Sequence, residues 1–157
     1  MGTEGAPTAR DFNGQYDVSV LSDGRVRLPD EVVKQLERRG VKAVWLATLP
    51  NLKALVICPE RFWPRWVQQA RHQFKFLETE DGIRAISSMW KRRTWDSKGR
   101  LLVPGALMQY AGIRPGGRVV LVPFRNYFEL WEDGNFKELV AKWKLEHPDG
   151  QERSEGK

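Results

Sequence analysis

One motif occurs twice in this chain, and that repeat limits the possible folds more than any other feature. Gly24-Arg25-Val26-Arg27-Leu28-Pro29 returns 75 positions later as Gly99-Arg100-Leu101-Leu102-Val103-Pro104. Both copies read Gly-Arg-apolar-x-apolar-Pro. After each proline comes a short helical pattern closed by a glycine, Gly40 or Gly112, then two strand-like runs, then an aromatic helical stretch. A unit of about half the chain used twice implies two similar halves. An arginine at the same corner of both halves suggests a repeated binding surface.

Each half reads as β-hairpin, helix, β-hairpin, helix. Tyr16 to Leu21 alternates apolar and polar, the strand period. Ser22-Asp23-Gly24 is turn chemistry, and Val26-x-Leu28 resumes the alternation, so a hairpin is expected. Pro29 suits a helix start, Asp30 and Glu31 complement the helix dipole, and Gly40 is a C-cap. Ala43–Leu49 and Leu52–Cys58 read as strands about the turn Pro50-Asn51. Glu60 to Phe76 reads as a helix with Phe62, Trp66, Ala70 and Phe74 at four-residue spacing, and Pro64 is tolerable only in its first turn.

The second half is expected to open with a short helix over Ile83–Met89. Trp90–Asp96 and Leu101–Val103 would then form a hairpin, and Ala106–Ala111 a helix. Strands over Arg118–Phe124 and Tyr127–Trp131 and a closing helix over Phe136–Lys144 complete it. The expected organisation is a mobile arm at 1–13, a first unit at 14–77, a polar linker at 78–82, a second unit at 83–146 and a disordered tail at 147–157. Strands this short cannot bury a core alone, so the halves should pair into one closed, β-rich α+β body.

Composition narrows the function classes. The 157 residues include 41% apolar residues with seven Trp and seven Phe, enough for a core. The net charge of +6 fits an anionic partner without requiring one. The single cysteine, Cys58, lies in an apolar run, excludes an internal disulfide and reads as a small buried hydrophobe. Apolar runs of about five residues span no membrane. The N-terminus has no signal-peptide core, so a cytoplasmic chain is expected.

Catalytic chemistry finds little support. His72 lies in a helical pattern and His147 in the tail, neither beside a triad-like arrangement. Two His and one Cys cannot supply a usual zinc site. Gly105, Gly112, Gly116 and Gly117 form no phosphate loop or dinucleotide pattern. The expectation is a non-enzyme without metal, cofactor or small-molecule substrate.

The basic residues are better placed. Trp90 to Arg100 holds five of them in eleven positions (Lys91, Arg92, Arg93, Lys98 and Arg100) with two Trp interleaved. Charges on a turn between short strands project outward, where they can meet phosphates. A guanidinium such as Arg100 can also grip a phosphate or a guanine edge with two prongs. Asp96, four residues earlier across the turn, would hold that side chain. On residues alone, a solvated charge run braced by an Asp–Arg pair fits equally. The first copy carries Arg25 and Arg27, with Arg10 on the arm, but Asp23 stands in place of Lys98 and Leu21 in place of Asp96. Trp45, Trp63, Trp66, Trp131 and Trp143 fall on apolar stripes or strands, which suits either a core or a subunit interface.

Two stretches carry a family resemblance. Asp96-Ser97-Lys98-Gly99-Arg100-Leu101-Leu102-Val103-Pro104 resembles the Asp-x-x-x-Arg hairpin of the MraZ family and its apolar-Pro helix start. Tyr127-Phe128-Glu129-Leu130-Trp131-Glu132 is similar to that family's Phe-Glu-Leu-Trp strand. The likeness runs in order from about Tyr16 to Lys144. It implies two tandem AbrB-like units of the swapped-hairpin, double-psi barrel type, forming one pseudo-symmetric body. It further implies a transcriptional repressor of the division and cell wall gene cluster, associated with the nucleoid. Such a protein would be a ring-shaped homo-oligomer binding short direct repeats in double-stranded DNA, in the promoter of its own operon. Carried over by residue, Arg100 and Asp96 match the second motif, with Asp96 positioning the arginine. Arg25 matches the first motif's arginine, but Leu21 replaces its aspartate, so Arg25 should be freer and costlier to order. The DNA-binding set so implied is Arg25, Arg27, Arg92, Arg93, Lys98 and Arg100. The alternative is a diverged oligomeric scaffold with only nonspecific DNA binding. An antitoxin-like regulator fits less well, because such chains usually carry one unit and a toxin-binding tail.

Overall fold

The computed structural model describes residues 11–12, 14–73 and 79–148. Its elements are β1 (Tyr16–Ser19), β2 (Arg25–Arg27), α1 (Asp30–Arg38), β3 (Val44–Ala47) and β4 (Ala54–Pro59), then a 3-10 turn at Glu60–Phe62 and α2 (Trp63–Gln73). The second half adds α3 (Glu80–Ser87), β5 (Lys91–Arg93), β6 (Arg100–Leu102), α4 (Gly105–Tyr110), β7 (Arg118–Phe124), β8 (Tyr127–Glu132) and α5 (Asp133–Glu146). The architecture is α+β, with antiparallel strands and short helices.

Six strands form one sheet in the order β1-β7-β8-β4-β3-β5, and β2 pairs with β6 in a separate ribbon. Exchanging the two halves, β1 for β5 and so on, returns the same order read backwards. The register obeys the repeat as well. Tyr16 faces Leu121 across β1–β7, and Lys91 faces Leu46 across β5–β3.

The expected local hairpins are therefore corrected. β1 and β2 share only the bridge Val20–Val26, and β5 and β6 only Trp95–Leu101. Past those bridges the strands part: β1 goes to β7, β5 to β3, and β2 and β6 meet each other. Periodicity marks a strand but does not name its partner. Exchange across the halves gives these three- and four-residue strands neighbours that a lone unit lacks.

The duplicated helix ends obey one rule. Pro29 and Pro104 precede α1 and α4 with extended backbone. Both helices close on a left-handed glycine, Gly40 at φ 73° and Gly112 at φ 71°. The next residue's N–H then reaches back to satisfy an orphan carbonyl, Val41 to Leu36 and Ile113 to Met108, each at 2.9 Å. In α2, Pro64 sits in the first turn, where its missing N–H costs nothing. α5 begins earlier than expected because the Glu132 carboxylate accepts from the N–H groups of Gly134 and Asn135.

Two segment assignments change. The expected linker is largely helix: Thr79 caps α3 by accepting from the Gly82 N–H at 3.0 Å, and Glu80 and Asp81 fill its first turn. Phe12, placed above in a mobile arm, is buried and packs edge-on against Phe128 at 5.1 Å. Asp11 of the same arm pairs with Arg39 at 3.1 Å. Residues 1–10, Arg10 included, and 13, the Phe74 stripe position and the tail from 149 lie outside the described residues.

The main core lies between the sheet and a cover of ribbon, α1 and α4, with Val26, Leu28, Leu36, Leu101, Leu107 and Phe128 fully enclosed. On the other face α2 and α3 cover a second cluster. There Trp63 stacks between Trp45 at 4.7 Å and Trp66 at 5.0 Å, while Trp90 meets Trp63 and Trp66 edge-on. α5 covers a small third cluster about Ala54, Val120 and Trp131, to which it adds Phe136, and has no buried residue of its own. Trp66 and Trp131 are thus core, Trp45 and Trp63 half-buried, and Trp143 half exposed.

Candidate functional site

The ribbon brings both copies of the Gly-Arg corner together. Its register is Arg25 opposite Leu102, Val26 opposite Leu101 and Arg27 opposite Arg100. Directly opposed residues share a face, and neighbours along a strand alternate. Val26 and Leu101 therefore point inward, and both are fully buried. Arg25, Arg27, Arg100 and Leu102 form the outer face. Three of its four side chains are guanidinium groups.

The flanking turns hold the two corner arginines. In the second turn, Asp96 Oδ1 accepts from the N–H groups of Lys98 and Arg100, both at 2.9 Å. Its Oδ2 accepts from Arg100 Nε at 2.7 Å. These donors, the Arg100 backbone N–H foremost, hold the Asp96 carboxyl below the usual carboxylate range. With Nε engaged, Arg100 keeps its two terminal nitrogens without a partner among the described residues, and that pair suits a two-pronged grip on an acceptor edge.

The first turn is built alike by a different residue. Leu21 N–H donates to Arg25 O at 2.8 Å, as Asp96 N–H does to Arg100 O at 3.0 Å. Gly24 and Gly99 both take positive φ. The missing carboxylate is replaced from inside the turn. Asp23 Oδ1 accepts from Arg25 N–H at 3.0 Å and Oδ2 from Arg25 Nη1 at 2.6 Å. The Arg25 backbone N–H, ahead of its side chain, lowers the Asp23 carboxyl. The expectation of an unbraced Arg25 is corrected: the brace moved two positions along the chain. Ser-Asp-Gly was legible as a turn, but its aspartate's reach to Arg25 was not.

The other predicted residues sit differently. Lys98 is exposed at the tip of the second turn, and Arg27 has no ion-pair partner among the described residues. Arg92 lies on β5, opposite Trp45 in register, and not on the ribbon. It pairs with Glu60, Nη2 to Oε1 at 3.0 Å and Nε to Oε2. That hydrogen bond lowers the Glu60 carboxyl and raises Arg92. Its charge is already compensated. Arg93 is half-buried, donates Nη1 to the Arg92 carbonyl at 3.1 Å, and leaves Nε buried with no partner. The structure thus gathers Arg25, Arg27 and Arg100, with Lys98 beside them, and sets Arg92 and Arg93 apart.

Elsewhere, titratable groups are shifted by burial. Glu129, on the sheet, is raised chiefly by desolvation while accepting from Trp131 Nε1 at 3.0 Å. Tyr127 is pushed up to about 12, mainly by burial and then by Glu129. Burial also raises the Cys58 thiol, which suits an inert core residue. Among the described residues no cluster of acidic, His or Cys side chains could hold a metal ion, and no helix is long and apolar enough to cross a membrane.

Comparison with known proteins joins this geometry to a family. Residues 91–154 match the family described as "MraZ protein, putative antitoxin-like". The chain is 30% identical to the transcriptional regulator MraZ of Neisseria gonorrhoeae over 126 residues, covering 76% of this chain and 79% of that protein. It is 28% identical to the protein of that name from Shewanella denitrificans, over 89% of this chain and 87% of the relative. For the one from Thioalkalivibrio sulfidiphilus the identity is 27%, over 91% and 94%. Both halves are spanned by these matches, and the Asp96–Arg100 turn lies within the matched segment, so the chain belongs to the MraZ family, a family of transcriptional regulators and not of enzymes.

Proposed function

We propose that this chain is a sequence-specific DNA-binding repressor of the division and cell wall gene cluster. In this reading, residues 14–77 and 83–146 are two tandem AbrB-like units, with α3 at their junction. Copies assemble into a ring in the cytoplasm, on the nucleoid, and read short repeats in promoter DNA. The observation that carries the reading is the ribbon: both Gly-Arg corners lie on one exposed face, each arginine oriented by a carboxylate. A two-stranded ribbon fits a major groove, where a pre-oriented guanidinium can take the two acceptors of guanine. Holding the arginines before contact lowers the ordering cost of binding. Lys98 and Arg27 supply phosphate contacts, which position without specifying. One chain offers few charges, so affinity would accumulate over several subunits on successive repeats.

The test is titration of the purified protein against its own upstream DNA and a scrambled duplex at two salt concentrations. Preference for the native fragment that survives the higher salt is expected. Arg100→Ala should weaken that binding about five- to a hundredfold, since a two-pronged contact is worth about 1–3 kcal/mol, whereas Arg71→Ala, at an exposed position of α2, should change it less than twofold. Equal losses from the two changes would remove the ribbon as the reading head. Equal, salt-erased binding to both duplexes would favour the oligomeric scaffold. The half-exposed Leu139 and Trp143 of α5 suit assembly in either reading.

A further inference from the structure

The sheet face that carries α2 and α5 is sealed in one half and open in the other. The exchange of halves says which positions to compare. Trp45 faces Arg92 across β3–β5, and Val120 faces Asp17 across β7–β1. Trp63 and Phe136 each stand four residues past the strand that precedes their helix, and Trp90 and Gln15 each stand just before an edge strand. In the first half the indoles of Trp45, Trp63 and Trp90 pack into one layer beside α2. In the second half their smaller counterparts, Val120, Phe136 and Gln15, leave a groove of about 350 Å³ beside α5. The Arg92–Glu60 pair that ties β5 to the start of the α2 segment is lost as well. Asp17 and Asp133 stand at those two places, and two acids cannot close the gap.

We infer that this groove is a docking site for a segment of another protein in which an aromatic side chain stands beside an acidic one. The inference is independent of the reading of the ribbon. The first half shows what fills such a space: a flat ring laid against the helix and the sheet. Val140 and Ala141 of α5 complete an apolar wall for one, and exposed Lys137 and Lys144 flank it. Lys137 pairs with Asp133 at 3.0 Å, whereas Lys144 has no ion-pair partner among the described residues. That free cation, on a chain of net charge +6, selects an acidic neighbour for the ring. The chain does not offer this combination itself. Residues 1–10 and 149–157 contain no aromatic residue. The exposed rings among the described residues are Tyr110, Phe124 and Trp143, and none has an acidic neighbour in the sequence. Phe124 lies under the Arg125 guanidinium, and Trp143 stands between Lys142 and Lys144, so the lysines beside the groove repel both. Aromatic side chains seated in pockets are the usual anchors of protein contacts.

The experiment uses the full chain and a fluorescently labelled peptide, Gly-Asp-Trp-Glu-Gly, read by anisotropy. An analogue with serine in place of the tryptophan should bind about tenfold or more weakly, the worth of one buried ring. Ala141→Trp fills the groove from an exposed position and should abolish that preference. Lys144→Glu should weaken the tryptophan peptide about two- to fivefold. Both positions are exposed, so both variants should unfold at the wild-type temperature. Equal affinity for the two peptides, or a preference that survives Ala141→Trp, overturns the assignment. If Ala141→Trp lowers the molar mass of the protein alone in light scattering, a second copy fills the groove, and the assignment to a different protein is overturned.

Discussion

At the scale of single residues, the decisive feature is that two aspartates at different positions do one job. Asp96 reaches Arg100 from four residues back, and Asp23 reaches Arg25 from two. Asp23→Ala and Asp96→Ala should therefore weaken DNA binding by similar factors, about three- to tenfold, while the unfolding temperature moves little because both pairs are a third or more open to solvent. The measurement is the same upstream titration. Asp96 was legible in the chain because a four-residue spacing across a turn is a recognisable brace. Asp23 was not, because its role depends on backbone curvature inside the turn. Acid acts on both alike. Their folded values are lowered, so what they contribute is present above the unfolded value and lost as pH falls through the folded one. Glu129 has the opposite sign. Burial raises it, so it weighs on stability increasingly as pH rises above the ordinary carboxylate value. Glu129→Gln keeps an acceptor for Trp131 and removes the charge. It should stabilise the protein by about 1 kcal/mol at pH 7.5 and by little near pH 4, checked by denaturant titration at both pH values.

At the scale of elements, the caps and periods carried most of the information. Glycine ends, proline starts and period-two runs placed the strands and helices within a few residues. Strand partners were hidden, because Val20 and Val26 look alike whether their strands stay together or part after one bridge. The left-handed turns can be tested directly. Gly99 has φ 75°, and an added Cβ would lie 3.3 Å from Val33 Cγ2 and 3.4 Å from Leu28 O. Gly116 has φ 77° and open space around it. Gly116→Ala should cost about 1 kcal/mol from backbone alone, and Gly99→Ala more, by an amount that reports the crowding. The aromatic layer under α2 is the other marked element. Trp66 is buried against Trp63, Trp90 and Tyr127. Trp66→Ala should destabilise by about 3–5 kcal/mol and alter the near-ultraviolet dichroism of the stack. α5 was legible as a helix, but not as one whose apolar side stays largely open.

At the scale of the whole molecule, the halves exchange strands instead of standing side by side. A fragment spanning 14–78 lacks partners for β1, β2 and one side each of β3 and β4. It should be either unfolded or a dimer in which a second copy supplies them, and light scattering with circular dichroism would distinguish these from a folded monomer, which would contradict the exchange. The paired halves have also diverged where they touch. Val56 on β4 lies directly opposite Glu129 on β8, and the symmetry relates those two positions to each other. In an assembly of two identical single-unit chains, one substitution there is made twice. Glutamate at that site would then face glutamate in the middle of a sheet, two half-buried like charges directly opposed. Joined in one polypeptide, the same position takes valine on one side and glutamate on the other. Covalent linkage thus opens to this molecule amino-acid combinations that a self-pairing ancestor of half the length could not have sampled.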